Sequence, residues 1–223
     1  MTEWRSIEEM FAVLHVANMK YIILRNYEEI DADNFYTPGH ADIDFLTTNG
    51  YRFANLIHAV PRFSQNDGIH YKVIIAGTEV AVDTRSIGDG YYDTKWERDM
   101  LRNRTMADDR FYVMDEKNYY PSLVYHAVLQ KNCLADDYLR KLNQIASLAG
   151  ISAASEEEHL MELKQFMMEH GYHYTLPYDI HVPLRTDLVD SSMVRKYLSV
   201  SLRDIKIKVM QIGSKLKHRM IGH

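Results

Sequence analysis

The stretch His40-Ala41-Asp42-Ile43-Asp44-Phe45-Leu46 decides the fold. Two aspartates, two residues apart, interrupt an apolar, strand-forming run. Alternate side chains of a strand share a face, so Asp42 and Asp44 point one way while Ile43 and Phe45 point into a core. Adjacent carboxylates repel, and each raises the cost of ionising the other. A fold that keeps such a pair needs something cationic between them, and a hard divalent ion with oxygen ligands is the natural choice. The competing reading is an edge strand carrying two solvated acids.

Working outward, Ser6-Ile7-Glu8-Glu9 is a capping box that opens a helix to about Met19, with Ile7, Met10, Phe11 and Leu14 at helical spacing. Residues 21–24 form a short buried strand that ends abruptly at Arg25-Asn26. Residues 27–40 are polar, with turn signals at Asp33-Asn34 and Pro38-Gly39. Past the aspartates, residues 51–60 have a helical pattern stopped by Pro61. Residues 71–76 and 79–84 read as a hairpin around Ala76-Gly77-Thr78, and its second strand delivers a third acid, Asp83, with Arg85 close behind. Asp93 caps a helix to Arg104, and residues 111–113 are extended. Helix, strand, strand, helix, hairpin is an α+β pattern: a small mixed sheet backed by helices.

The second half is helical in pattern. Pro121 suits a first helical turn, and Leu123, Val124, Ala127 and Val128 carry an apolar face to about Lys131. Residues 134–149 form another helix with Gly150 at its C-terminal cap. Ser155-Glu156-Glu157-Glu158 opens a third, which stops at Gly171. An aromatic-rich loop, residues 172–183, holds Asp179 and His181. The chain divides into an α+β domain, residues 1–114, and a helical region, residues 115–223, with a basic C-terminal helix.

Composition narrows the class. The 223 residues, 46% hydrophobic and 26% charged, suit an ordinary globular protein with a proper core. A net charge of −5 argues against nucleic-acid binding by the whole chain. From Arg195 onward eight Lys/Arg face one acid, Asp204, a charge of +7 that leaves −12 on the remainder. Such a tail is expected to meet the acidic body or an anionic membrane surface. The single cysteine, Cys133, excludes an internal disulfide and reads as a small apolar filler on a helix. The N-terminus lacks the basic-then-apolar plan of a signal peptide, so a cytoplasmic location is expected, peripheral to the membrane if the tail binds it.

Asp42, Asp44 and Asp83 thus fall on two strands of one expected sheet. Carboxylates in this arrangement suit two-metal phosphoryl transfer, in which divalent ions clamp attacking and leaving oxygens. The segment Ile22 to Asn26, the Asp42-Ile43-Asp44 pair and Asp83 together resemble the nucleotidyltransferase superfamily with the DNA polymerase beta-type palm. Leu24-Arg25-Asn26-Tyr27-Glu28 and Gly88-Asp89-Gly90-Tyr91-Tyr92-Asp93 are further similar to nucleotidyltransferase-like proteins of bacterial surface-polysaccharide gene clusters.

The resemblance implies a palm over the first domain, with Asp42, Asp44 and Asp83 as catalytic residues and ligands of Mg2+ or Mn2+. It implies a nucleoside triphosphate or nucleotide-activated donor and a small-molecule acceptor, a glycan precursor. The superfamily has Gly-Ser after its first strand where this chain has Arg25-Asn26, so Arg25 is expected to hold phosphate through its own donors. Two alternatives stay open: phospho-polyol transfer from a CDP-type donor, and a non-catalytic module with a degenerate palm. Arg85 faces either phosphates or solvent. Lys131 reaches the site if its helix packs across the mouth, and otherwise answers a helix C-terminus. His126 reads as a satisfied core histidine and His40 as a turn residue.

Overall fold

The computed structural model describes residues 2–30, 42–64 and 66–195. Its strands are β1 (Glu3–Trp4), β2 (Tyr21–Ile23), β3 (Ile43–Thr47), β4 (Val60–Pro61), β5 (His70–Ile75), β6 (Thr78–Ser86), β7 (Thr105–Ala107), β8 (Phe111–Val113), β9 (Tyr174–Thr175) and β10 (Val194–Arg195). Its helices are α1 (Ile7–Val16), α2 (Gly50–Leu56), α3 (Thr94–Arg102), α4 (Glu116–Val124), α5 (Asp136–Leu148) and α6 (Glu156–His170). The main sheet runs β1-β5-β6-β3-β2-β8-β7, with β4 added on β5. It is mixed: β3 lies parallel to β6 and antiparallel to β2. This is the expected α+β architecture.

The aspartate strand sits at the centre and is buried along its whole length. Alternation sorts its side chains between two cores. Ile43 and Phe45 join Phe11, Tyr21, Phe53 and Tyr71 under α1 and α2. Leu46 joins Ile22, Trp96, Leu123, Leu142 and Leu163 on the face covered by α3, α4, α5 and α6. Asp44 shares the face of Leu46. The helical half therefore packs on the carboxylate side of the sheet.

Local chemistry set most element ends. Ser6, Asn49, Asp93, Asp115 and Ser155 each accept a backbone N–H at a helix start, and Ser155–Glu158 closes a full capping box. The β5–β6 hairpin turns through Ala76 and Gly77, both at positive φ. Several boundaries differ from the sequence reading. α1 stops at Val16 because Asn18 takes a left-handed conformation, and α2 stops at Leu56 with His58 likewise left-handed, which frees Val60–Pro61 to pair with β5. β8 matches the extended piece expected at residues 111–113, whereas β7 and its hairpin with β8 have no strong alternating signal in the sequence.

Pro121 lies well inside α4, not in its first turn. It has no N–H to donate, and the helix then widens into a π-turn over Tyr125–Leu129. Cys133 is exposed in the bend that follows, not packed on a helix. His40 and most of the basic C-terminal segment lie outside the described residues. Among the described residues no helix is long and apolar enough to cross a membrane.

Candidate functional site

Parallel pairing of β3 with β6 places Asp44 in register with Asp83. Neighbouring strands are about 4.8 Å apart, and in-register residues share a face, so these two carboxylates stand side by side. On the other flank β5 brings His70 into register with Asp83. Asp44 and Asp83 are 7% and 5% exposed, far too buried for solvated edge acids. They floor a cleft of ≈550 Å³ between the sheet and the helical half.

All seven residues singled out from the sequence line this cleft: Asp42, Asp44, Asp83, Arg25, Asn26, Arg85 and Lys131. Different elements deliver them. Asp42 precedes β3; Arg25 and Asn26 follow β2, with Asn26 at φ 56°, a left-handed position that asparagine tolerates. Lys141 Nζ from α5 holds Asn26 Oδ1 at 2.9 Å. The π-turn after Pro121 sends His126, Gln130 and Lys131 to the mouth, so the helix does pack across it.

The acids are already interleaved with cations. Arg25 Nη2 lies 2.8 Å from Asp44 Oδ2, and both side chains are buried. Arg62 Nη1 lies 3.6 Å from both Asp42 Oδ2 and Asp83 Oδ1. Arg85 donates to Asp179 Oδ2 at 2.8 Å and stacks over Tyr91, 4.5 Å from the ring centre. Arg85 is thus neither a solvent-facing charge nor a free phosphate ligand: it ties the 179–183 loop to the sheet. The Gly88–Asp93 stretch is shaped by carboxylates, with Asp89 accepting from Ser86 N and Tyr91 N and Glu97 from Gly88 N and Tyr92 N. That turn carries Tyr91 beneath Arg85 and Arg25.

Burial, together with the like charge of Asp44 and then Asp42, pushes the Asp83 carboxyl up to about 7, although His70 and Arg85 pull the other way. Burial also works to raise Asp42, but its own backbone N–H and the Arg62 guanidinium outweigh it and hold Asp42 below the ordinary value. Asp179 lies below its ordinary value in the same way: Arg85 outweighs burial. His126 is buried and sits near Arg25 and Lys131, which keeps its imidazole neutral. Its Nδ1 is 3.0 Å from the Tyr91 hydroxyl, so it is both a satisfied interior histidine and part of the cleft wall.

Sequence reasoning missed His70, Arg62, Tyr91, Tyr138, Gln130 and Asp179 as members of the site. His70 Nδ1 lies 2.5 Å from Asp67 Oδ2, and its Nε2 faces Asp83 and Asp179 at 3.7 and 3.6 Å. No spacing rule announces these residues. The hairpin register would have placed His70 opposite Asp83 had it been followed across the turn.

Several buried polar atoms have no hydrogen-bond partner among the described residues: Asp83 Oδ1, Arg25 Nη1 and Arg85 Nε. They are what a ligand carrying both cationic and anionic groups would satisfy. Among the described residues no three His, Cys, Asp or Glu side chains converge to hold a metal ion, and Arg25 and Arg62 lie among the acids. The donor chemistry itself, carboxylate oxygens with one atom unsatisfied, fits a hard divalent cation.

No family model and no curated protein matches the chain. Among solved structures it is similar to an antigenic nucleotidyltransferase-like protein from Paracoccidioides brasiliensis, at 13% identity and a TM-score of 0.43, covering 74% of this chain and 87% of that one. A likeness of that degree says nothing about activity.

Proposed function

We propose that this protein is a divalent-metal-dependent transferase that moves a nucleotidyl group from a nucleoside triphosphate to a small acceptor. One observation carries the reading: Asp44 and Asp83 stand in register across two parallel strands, in a cleft that also presents Arg25 and Lys131. Carboxylates in that pairing suit a bridging cation, and the surrounding cations suit phosphate oxygens. Asp42, Asp44 and Asp83 would hold Mg2+ or Mn2+. When bound, the ion would neutralise charge developing on the phosphates as pyrophosphate departs. Arg25 would turn its unpartnered Nη1 toward phosphate, and Lys131 would close the mouth over it. A surface-glycan precursor as acceptor, and contact of the basic tail with an anionic surface, belong to the same proposal.

The test is Mn2+ binding by calorimetry and electron paramagnetic resonance, with and without each nucleoside triphosphate, beside transfer of an α-labelled phosphate to small acceptors. Asp44→Asn and Asp83→Asn should each lose metal binding and transfer while remaining folded.

The 2.8 Å pairing of Arg25 with Asp44 favours one alternative, a non-catalytic anion-binding module whose acids are neutralised by arginine. On that reading metal binds neither protein, and Asp44→Asn binds nucleotide as well as or better than wild type. Arg25→Ala should cost nucleotide affinity about 1.5–3 kcal/mol, the scale of a hydrogen bond to a charged group, on either reading. It should also lower stability by roughly 3–5 kcal/mol, because Asp44 is left charged and buried. Much of that loss should return in Arg25→Ala/Asp44→Asn.

A further inference from the structure

A second cleft, also ≈550 Å³, opens at the opposite end of the strands from the aspartates. Lys20 precedes β2, while Thr48 and Ile87 follow β3 and β6, so the cleft lies where those strands meet the end of α3. Its charged lining is wholly basic: Lys20, Arg98, Arg102 and Arg104. Arg102 is paired with Asp99 at 2.8 Å. Among the described residues no ion pair engages Lys20, Arg98 or Arg104.

A helix C-terminus attracts cations on its own account. That accounts for Arg102 in the last turn of α3, but not for Arg98 a turn earlier, nor for Lys20 from another element, nor for Arg104 beyond the helix end. Arg104 is also held in place. Its Nη1 donates to Leu101 O at 3.0 Å, and its guanidinium lies over Tyr112, 4.3 Å from the ring centre. Its Nε is buried with no hydrogen-bond partner among the described residues. A fixed guanidinium with an unspent donor, beside two unpaired cations and the Thr48 hydroxyl, matches oligophosphate oxygens, which guanidinium groups bind through directed, charge-assisted hydrogen bonds. The positive field reaches past the cleft: the His15 imidazole is depressed first by burial and then by Arg104.

We infer that this basic cleft is a second anion site that binds the phosphates of a di- or triphosphate, distinct from the aspartate cleft. The inference does not rest on the transferase reading, since no residue of the aspartate cleft takes part.

The experiment is isothermal titration of the full chain with inorganic pyrophosphate in EDTA, which removes divalent metal from the aspartate cleft. Arg98→Ala/Arg104→Ala should weaken binding at least about tenfold, the lower end for loss of a single charged hydrogen bond. Arg104 packs on Tyr112, so Lys20→Ala/Arg98→Ala is the companion variant; both of its positions are exposed, and it should weaken binding several-fold with an unchanged melting temperature. Repeating the titration with a nucleoside diphosphate separates free from nucleotide-borne phosphate, and a tighter response to either that both variants lose supports the site. Unchanged affinity in both variants overturns it. So does an equal loss in Arg140→Ala/Lys164→Ala, two exposed cations elsewhere, because surface charge alone would then explain the binding.

Discussion

Asp83 and Asp179 face the same cleft and titrate in opposite senses, which makes each a probe of its surroundings. The folded Asp83 carboxyl sits at about 7 against an ordinary 3.8, with burial as the first cause and the Asp44 charge as the second. A raised carboxyl binds its proton more tightly in the folded state, so wild type loses stability as pH climbs from about 4 to 7. Asp83→Asn carries no such penalty. One pKa unit corresponds to about 1.4 kcal/mol, so a rise from 3.8 to about 7 should make the variant more stable than wild type at pH 8 by on the order of 4 kcal/mol, with the gap closing toward pH 4. Chemical denaturation of both proteins across that range checks it. A gap that stays constant with pH would mean that Asp83 is already ionised at pH 5.

At the scale of elements, the close approach of α2 to β6 depends on one missing side chain. Gly50 opens α2, and its N–H donates to Ser86 Oγ at 2.9 Å. A Cβ built there would meet Ser86 Oγ at 2.8 Å and Thr84 Oγ1 at 3.2 Å. Helix propensity by itself favours alanine over glycine by roughly 0.5–1 kcal/mol. Contact with β6 should reverse that sign, so Gly50→Ala is expected to lower stability by about 1 kcal/mol, read from urea midpoints. The same helix–strand seam lies one strand from Asp44, so a shift of β6 would be felt in the register of Asp44 with Asp83.

For the whole molecule, the cleft is closed by an ion pair between residues 94 apart in sequence, Arg85 on the sheet and Asp179 on the loop after β9. Both are buried. Asp179→Ala leaves the guanidinium buried without its partner, at a cost of roughly 3–5 kcal/mol. Amide exchange should quicken first across residues 176–185, the segment that the pair holds to the sheet. Arg85 outweighs burial and lowers the Asp179 carboxyl, so its stabilisation is present above the ordinary 3.8 and is lost as pH falls below that value. Faster exchange of the loop should therefore set in below about pH 4 in wild type and be absent as a pH effect in the variant.

What the sequence determined was local. Caps at Ser6, Asn49, Asp93 and Ser155, the Ala76-Gly77 turn and the apolar strand around Asp42-Ile43-Asp44 are each written in a few adjacent residues, because hydrogen bonds to the nearest backbone groups and a two-residue side-chain period decide them. The set Arg25, Asp42, Asp44, Asp83 and Arg85 was legible for the same reason: charged residues inside or just beyond apolar strands must have partners. Only the tertiary structure decided what those partners are. Strand order puts Asp44 on one flank of Asp83 and His70 on the other, the turn before α3 supplies Tyr91, and the helical half supplies Lys131 and Asp179, 48 and 96 residues beyond Asp83. Those contacts arise from burying two opposite faces of one sheet, a property of the summed apolar surface that no short stretch of the chain contains.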